Sequence, residues 1–206
     1  MKLYFVRHGE SEANLLRVIS NRDLAHGLTE RGRQQATDLA ERLRGAGARQ
    51  IFSSPILRAR QTAQILSEIL GVDYAVTDAL REFDCGIAEG RSDAEAWELH
   101  RWVMEEWQQG GNPAARIEQG ESLLDIQGRF VPFAEQLVQQ QVEPGDSVLV
   151  GHGGLYLCML PRVLLNVGAQ EALPFPNASY VLAEGRSEGL VCLEWCGRPP
   201  VAGQVA

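Results

Sequence analysis

The sequence is poor in cysteine, has no long apolar run and carries fewer basic than acidic residues, and each shortage removes a class of protein. Its four cysteines, Cys85, Cys158, Cys192 and Cys196, form no Cys-x-x-Cys pair and are too sparse in 206 residues for a disulfide framework. They read as reduced thiols that mostly fill the core. No stretch approaches the roughly 20 apolar residues of a membrane span. The apolar start, Leu3 to Val6, is too short for a signal-peptide core and has no small-residue cleavage site after it. A cytoplasmic protein with no membrane partner is the expectation. Basic residues number 19 against 27 acidic, a formal net charge of −8. That balance opposes binding to nucleic acid, so a small anionic substrate needs a local arginine cluster.

What is present is ordinary globular material, with 45 % hydrophobic and 22 % charged residues. The length suits a single domain over residues 1–206, without internal repeats or low-complexity tracts. Leu3 to Val6, Gln50 to Ser53, Tyr74 to Val76 and Ser147 to Val150 read as short strands. Between them lie helical patterns. Thr29 caps the first, with Ala36, Leu39, Ala40 and Leu43 on one face, and Pro55 opens the second, with Ile56, Ala59, Ala63, Leu66 and Leu70. Ser92 to Gln108 is a third, closed by the breaker run Gly110-Gly111-Asn112-Pro113, and residues 92–117 read as an insertion or lid. A fourth starts near Ser122, and Pro144-Gly145 turns it into the next strand.

Leu155 to Leu165 reads as a buried helix that Pro161 kinks or shortens. Ser179 to Ala183 and Leu190 to Cys196 suit a hairpin turned by Glu184 to Gly189, and residues 199–206 a loose tail. Alternating strands and helices imply a three-layer α/β/α fold with a mainly parallel central sheet flanked by helices. Ligands of such sheets bind beyond the carboxyl ends of the strands. There the chain holds Arg7-His8-Gly9 after the first strand, Arg58 after the second, and Gly151-His152-Gly153-Gly154 after the fourth.

These residue types fit phosphoryl chemistry. Arginine forks grip two phosphate oxygens and stay charged, which makes Arg7 and Arg58 the natural donors. A neutral imidazole in a fixed loop attacks phosphorus directly and divides one difficult step into two, the part assigned to His8. Gly9, and Gly153 with Gly154 beside His152, let backbone approach the ligand. A carboxylic acid must protonate the leaving oxygen: Glu82 is the candidate, ahead of Asp84 and then Glu89. A metal shared by His8, His152 and Glu82 is the competing reading. It lacks the His/carboxylate spacing of a zinc helix, and the arginines would repel a cation.

In order, Arg7-His8-Gly9-Glu10-Ser11 with Asn14, Leu28-Thr29-Glu30-Arg31-Gly32, Ser54-Pro55-x-x-Arg58-Ala59-x-Gln61-Thr62-Ala63, Leu80-x-Glu82, Glu89-Gly90, Gly120-Glu121-Ser122 and Gly151-His152-Gly153-Gly154 resemble the histidine phosphatase superfamily, in its phosphoglycerate-mutase-like branch. The resemblance implies that His8 is the phosphorylated nucleophile, that Arg7, Arg58 and His152 form the phosphate pocket, and that Glu82 is the general acid. It implies that Asn14 touches the phosphate or supports its loop, that residues 17–26 and 92–117 contact the rest of a small phosphorylated metabolite, and that no metal or dissociable organic cofactor takes part. The sequence departs from the family pattern at Ala88, where an aromatic commonly precedes the Glu-Gly pair, so the pocket wall there is expected to differ.

Phosphatase is expected over mutase, because mutases of this branch usually carry a longer, more basic middle insertion than Ala94 to Ile117. A non-catalytic phosphate-binding module is the third reading; such proteins usually lose part of the catalytic set, and here none is missing. His26 and His100 read as surface or lid residues, and Trp97, Trp102 and Trp107 as packing. Arg60, Arg81 and Asp84 are left without a fixed role. A homodimer is compatible with everything above.

Overall fold

The computed structural model describes residues 1–22, 25–108, 111–139, 145–168 and 175–200. Six strands form one sheet: β1 (Lys2–Arg7), β2 (Ala48–Ser53), β3 (Tyr74–Val76), β4 (Asp146–Gly151), β5 (Tyr180–Arg186) and β6 (Gly189–Trp195), in the spatial order β3-β2-β4-β1-β5-β6. The first four in that order are mutually parallel, and β5 and β6 add an antiparallel edge. Arg7 lies opposite Gly151 and Ser53 opposite Val150, so three strands end at one level.

Helices α1 (Glu12–Leu16), α2 (Glu30–Leu43), α3 (Leu57–Leu70), α4 (Ala94–Gln108), α5 (Leu123–Gln139) and α6 (Gly153–Val163) complete the three layers. The central strands are apolar on both faces, as strands covered twice must be. Tyr4, Val6, Val148 and Val150 face a cluster with Ala36, Leu39, Ala59, Ala63 and Leu66 of α2 and α3. Leu3, Phe5 and Leu149 face the other cluster, with Ile126, Phe130, Tyr156 and Met159 of α5 and α6. Each fully buried side chain of this kind contributes about 1.5–3 kcal/mol.

The expected elements are present with shifted ends. Helix α6 starts at Gly153, so both glycines belong to its first turn, and Pro161 falls in the last turn, where the lost bond shortens the helix without dividing it. The hairpin turn spans only Ser187 and Glu188, not Glu184 to Gly189, because the strands pair out to Arg186 and Gly189. The five-residue α1 lacks a sequence signal strong enough to announce it; Asn14 Oδ1 accepts from the Ser11 amide at 3.1 Å and closes its first turn. All four cysteines are free, with Cys85, Cys158 and Cys192 buried. The expected breaker at Gly110, the turn at Pro144 and the tail beyond Pro200 lie outside the described residues. Among the described residues, no helix is long and apolar enough to cross a membrane.

Candidate active site

The carboxyl ends of β1 and β4 deliver Arg7, His8 and His152 to one edge. Backbone pairing continues past the strands: the His8 amide donates to the Gly151 carbonyl at 3.1 Å and the Ser54 amide to Val150 at 2.9 Å. That register sets the His8 and His152 rings 5.1 Å apart between centroids. Arg58 reaches the same place from the first turn of α3, whose N-terminus follows β2 directly.

His8 is 3 % exposed. Its Nδ1 lies 2.6 Å from the Gly9 carbonyl, an acceptor only, so Nδ1 carries the proton. Nε2 then holds a lone pair, and it accepts from Arg58 Nε at 3.0 Å. Burial first, then the cations of Arg58 and Arg7, hold this imidazole well below the ordinary histidine range. A neutral ring with one nitrogen fixed by backbone and the other holding a lone pair beside a guanidinium has the orientation that nucleophilic attack requires.

The phosphate-gripping candidates are unevenly occupied. Arg58 spends its other nitrogens on the Ser20 carbonyl at 2.6 Å and Asn21 Oδ1 at 3.4 Å. Arg7 Nη1 donates to the Phe175 carbonyl at 2.6 Å, while its buried Nε has no partner among the described residues. His152 Nε2 meets Ser54 Oγ at 2.8 Å, and its Nδ1 is likewise buried and partnerless. Two orphaned polar nitrogens beside one imidazole lone pair are costly unless a ligand uses them.

Glu82 lies across the cavity at the N-terminus of α6. Its carboxyl group accepts from the amides of Gly154 at 2.9 Å and Leu155 at 2.6 Å. Burial raises it above the usual carboxylate range, with Arg58 and the backbone amides pulling the other way. Asp84 and Glu89 are turned elsewhere. Asp84 pairs with Arg22 at 2.9 Å and Glu89 accepts from the amides of Asn21 and Cys85, which makes both loop ties.

Arg7, His8, Arg58 and Glu82 line a cavity of about 250 Å³ together with Asn14, Val18, Ile19, Trp97, His100 and Met104, whereas His152 is wholly buried and is not part of its lining. Asn14 touches the Asn177 amide group, which also donates to the His8 carbonyl. Gly153 sits where a Cβ would stand 3.2 Å from Arg7 Nε. Gly9 has a different use from the one expected. A Cβ there would lie 2.4 Å from the Gly32 carbonyl oxygen, so it admits α2, not the ligand.

His100, expected as a surface or lid residue, forms the cavity wall between Phe83 and Trp97, with ring centroids 5.3 Å from each. Trp97 lines the same wall, whereas Trp107 is core and Trp102 is exposed. Ala88 is wholly buried and does not reach the cavity, so the departure from the aromatic pattern changes the core, not the pocket wall. Arg60 is exposed on α3, and Arg81 pairs with Asp78 at 3.2 Å; neither lines the cavity.

Sequence reasoning overlooked the supports: Ser54 under His152, Thr62 accepting from the Gly9 amide at 3.1 Å, and Ser20 and Asn21 under Arg58. Ser54 and Thr62 stood in the quoted motif, where their small hydroxyls were a usable signal. Ser20 and Asn21 had none. No three His, Cys, Asp or Glu side chains among the described residues group as metal ligands.

Known proteins are similar to this chain in sequence and fold. "Probable phosphoglycerate mutase GpmB" of Proteus mirabilis (strain HI4320) is 34 % identical over 186 residues, 87 % of this chain and 82 % of that protein. The mycobacterial glucosyl-3-phosphoglycerate phosphatase Rv2419c, in its complex with VO3, superposes with a TM-score of 0.79 at 28 % identity, covering 94 % of this chain and 98 % of that one. The alpha-ribazole phosphatase from Shigella flexneri shares the fold, with a TM-score of 0.77 at 19 % identity over 99 % of this chain and 100 % of that one. The family model described as histidine phosphatase superfamily (branch 1) matches residues 3–197, and the chain belongs to that family.

Proposed function

We propose that this protein is a metal-independent phosphatase that hydrolyses a small phosphorylated metabolite through a phosphohistidine at His8. The observation that carries the reading is the His8 Nε2 lone pair beside Arg58, with the partnerless Arg7 Nε and His152 Nδ1 next to it. An incoming phosphoryl group supplies acceptors to Arg7 Nε and His152 Nδ1 and its phosphorus to the His8 lone pair, and preorganised donors are the main requirement of phosphoryl transfer.

In the first step Nε2 forms a bond to phosphorus as the ester P–O bond breaks, and Glu82, as the acid, passes its proton to the departing oxygen. In the second, the Glu82 carboxylate takes a proton from water, the water oxygen bonds to phosphorus, and the N–P bond returns its electrons to the imidazole. Burial of Glu82 favours the acid form that the first step consumes. Asn14 and the α6 N-terminus at Gly153 complete the oxygen cradle.

The test is phosphate release from a panel of phosphomonoesters by metal-free protein and by His8→Ala, with intact mass measured after a rapid acid-free quench. Release by the native chain alone, with a phosphoryl-sized mass increase, supports the reading; equal release by the variant overturns it. The mutase named among the relatives is the second reading, favoured by 34 % identity to one of them. Efficient interconversion of 3- and 2-phosphoglycerate in a coupled assay would establish it in place of hydrolysis.

A further inference from the structure

The cavity is polar at one end only. Among the described residues that line it, the arginines are Arg7 and Arg58, and Arg58 is bonded to His8 itself. The opposite wall is built from Val18, Ile19, Trp97, His100, Met104 and Leu157. Polar atoms on that wall and on the Ser20–Asn21 stretch that joins it to Arg58 are already committed. Trp97 Nε1 donates to the Arg17 carbonyl at 2.8 Å, Ser20 Oγ meets His26 Nδ1 at 2.9 Å, and Asn21 Nδ2 donates to the Phe83 carbonyl at 3.0 Å. His100 offers no charge at neutral pH, since burial and Arg101 push it down to about 4.

A second anionic group on a substrate would enter this wall without a cation or an uncommitted donor, and desolvating an unpaired carboxylate is unfavourable. A flat apolar group gains instead, by stacking on the indole and on the imidazole tilted 56° to it. The volume, about 250 Å³, holds a phosphoryl group and one ring-sized portion.

We propose that the ester taken by this site has an uncharged leaving group with an aromatic or flat apolar part, which stacks on Trp97 and His100 beside Met104, and that esters bearing a second anion are disfavoured. The inference rests on the phosphatase reading above and names its substrate class.

The test compares kcat/KM for benzyl phosphate, 4-carboxybenzyl phosphate and glycerol 3-phosphate, three primary alcohol esters, in the native protein, Trp97→Ala, Trp97→Phe and Met104→Lys. Benzyl phosphate is expected to exceed its carboxylated analogue by about tenfold or more. Trp97→Ala lowers the benzyl-to-glycerol ratio by about tenfold, while Trp97→Phe retains most of it. Met104→Lys supplies the missing cation and raises the carboxylated ester relative to benzyl, a gain that a misfolded variant does not show. Equal or better turnover of the carboxylated ester by the native protein overturns the inference and leaves the phosphatase reading standing. Absence of phosphate release from all three esters overturns the reading and the inference together.

Discussion

At His8 the two ring nitrogens have separate partners, and the chemistry proposed for the ring depends on that separation. The Gly9 carbonyl retains the proton on Nδ1, and burial beside two guanidiniums disfavours a second proton on Nε2. Removing the imidazole in His8→Ala should lower phosphate release by about 10³-fold or more while phosphate binding persists, checked by initial rates and by isothermal titration with inorganic phosphate. Glu82 works in the opposite sense. Its raised pKa means that the acid form survives above the usual carboxylate range and is lost as pH rises through the folded value. The kcat profile should therefore fall on its alkaline side with Glu82 present, and Glu82→Gln should remove that limb together with most of the rate. A profile whose alkaline limb survives in Glu82→Gln would assign the limb to another group.

Among the elements, the turn from β4 into α6 leaves no room for a side chain at Gly154. A Cβ on Gly154 would stand 2.8 Å from a Glu82 carboxyl oxygen and 2.7 Å from the Phe83 ring, so Gly154→Ala must push Glu82 off the helix N-terminus. Activity is expected to fall at least tenfold, with a stability loss of about 1–3 kcal/mol from overpacking, read from steady-state rates and urea unfolding. The loop after β1 is tied to α3 in a similar way. Thr62 Oγ1 accepts from the Gly9 amide and donates to the Arg58 carbonyl at 2.8 Å, which couples the nucleophile loop to the arginine helix. Thr62→Val leaves the buried Gly9 amide without its acceptor and should cost about 1–3 kcal/mol; unchanged unfolding would show that water replaces the hydroxyl. These helices were legible from apolar spacing and caps. The start of α6 was not, because two glycines carry no periodicity and only the Glu82 carboxyl group satisfies the first-turn amides there.

For the molecule as a whole, three imidazoles, two buried and the third partly buried in the cavity wall, dominate the response to acid. His8, His100 and His152 are all held below the ordinary histidine value, chiefly by burial. The unfolded chain therefore binds protons that the folded chain refuses. Their contribution is complete above about pH 6.5 and is lost as pH falls toward the lower folded values, at up to about 1.4 kcal/mol per pH unit for each imidazole. Urea midpoints should drop steeply between pH 7 and pH 5, and His100→Phe should flatten the slope by about one proton. A midpoint that does not move over that interval would mean that these rings are hydrated and titrate normally.

The apolar runs that end on Arg7-His8 and on Gly151-His152, and the helix that opens before Arg58, were written locally, because a period of two or of 3.6 residues and a charged stop need only neighbours in the chain. Hence the layers and the parallel strands could be named from the sequence, and so could the candidate site residues at the strand ends. Strand order was decided by tertiary packing: β4, whose Gly151 pairs with Arg7 from 144 positions further along the chain, inserts between β1 and β2 and so brings His152 against His8.

 The same packing set the small hydroxyls of Ser54 and Thr62 under the site and closed Trp97 and His100 over it. No local pattern encodes these contacts, since each joins residues far apart in the chain and exists only once both sheet faces are covered. That is why the residues at the strand ends could be read from the sequence, and the outer wall of the cavity, proposed above to select the leaving group, could not.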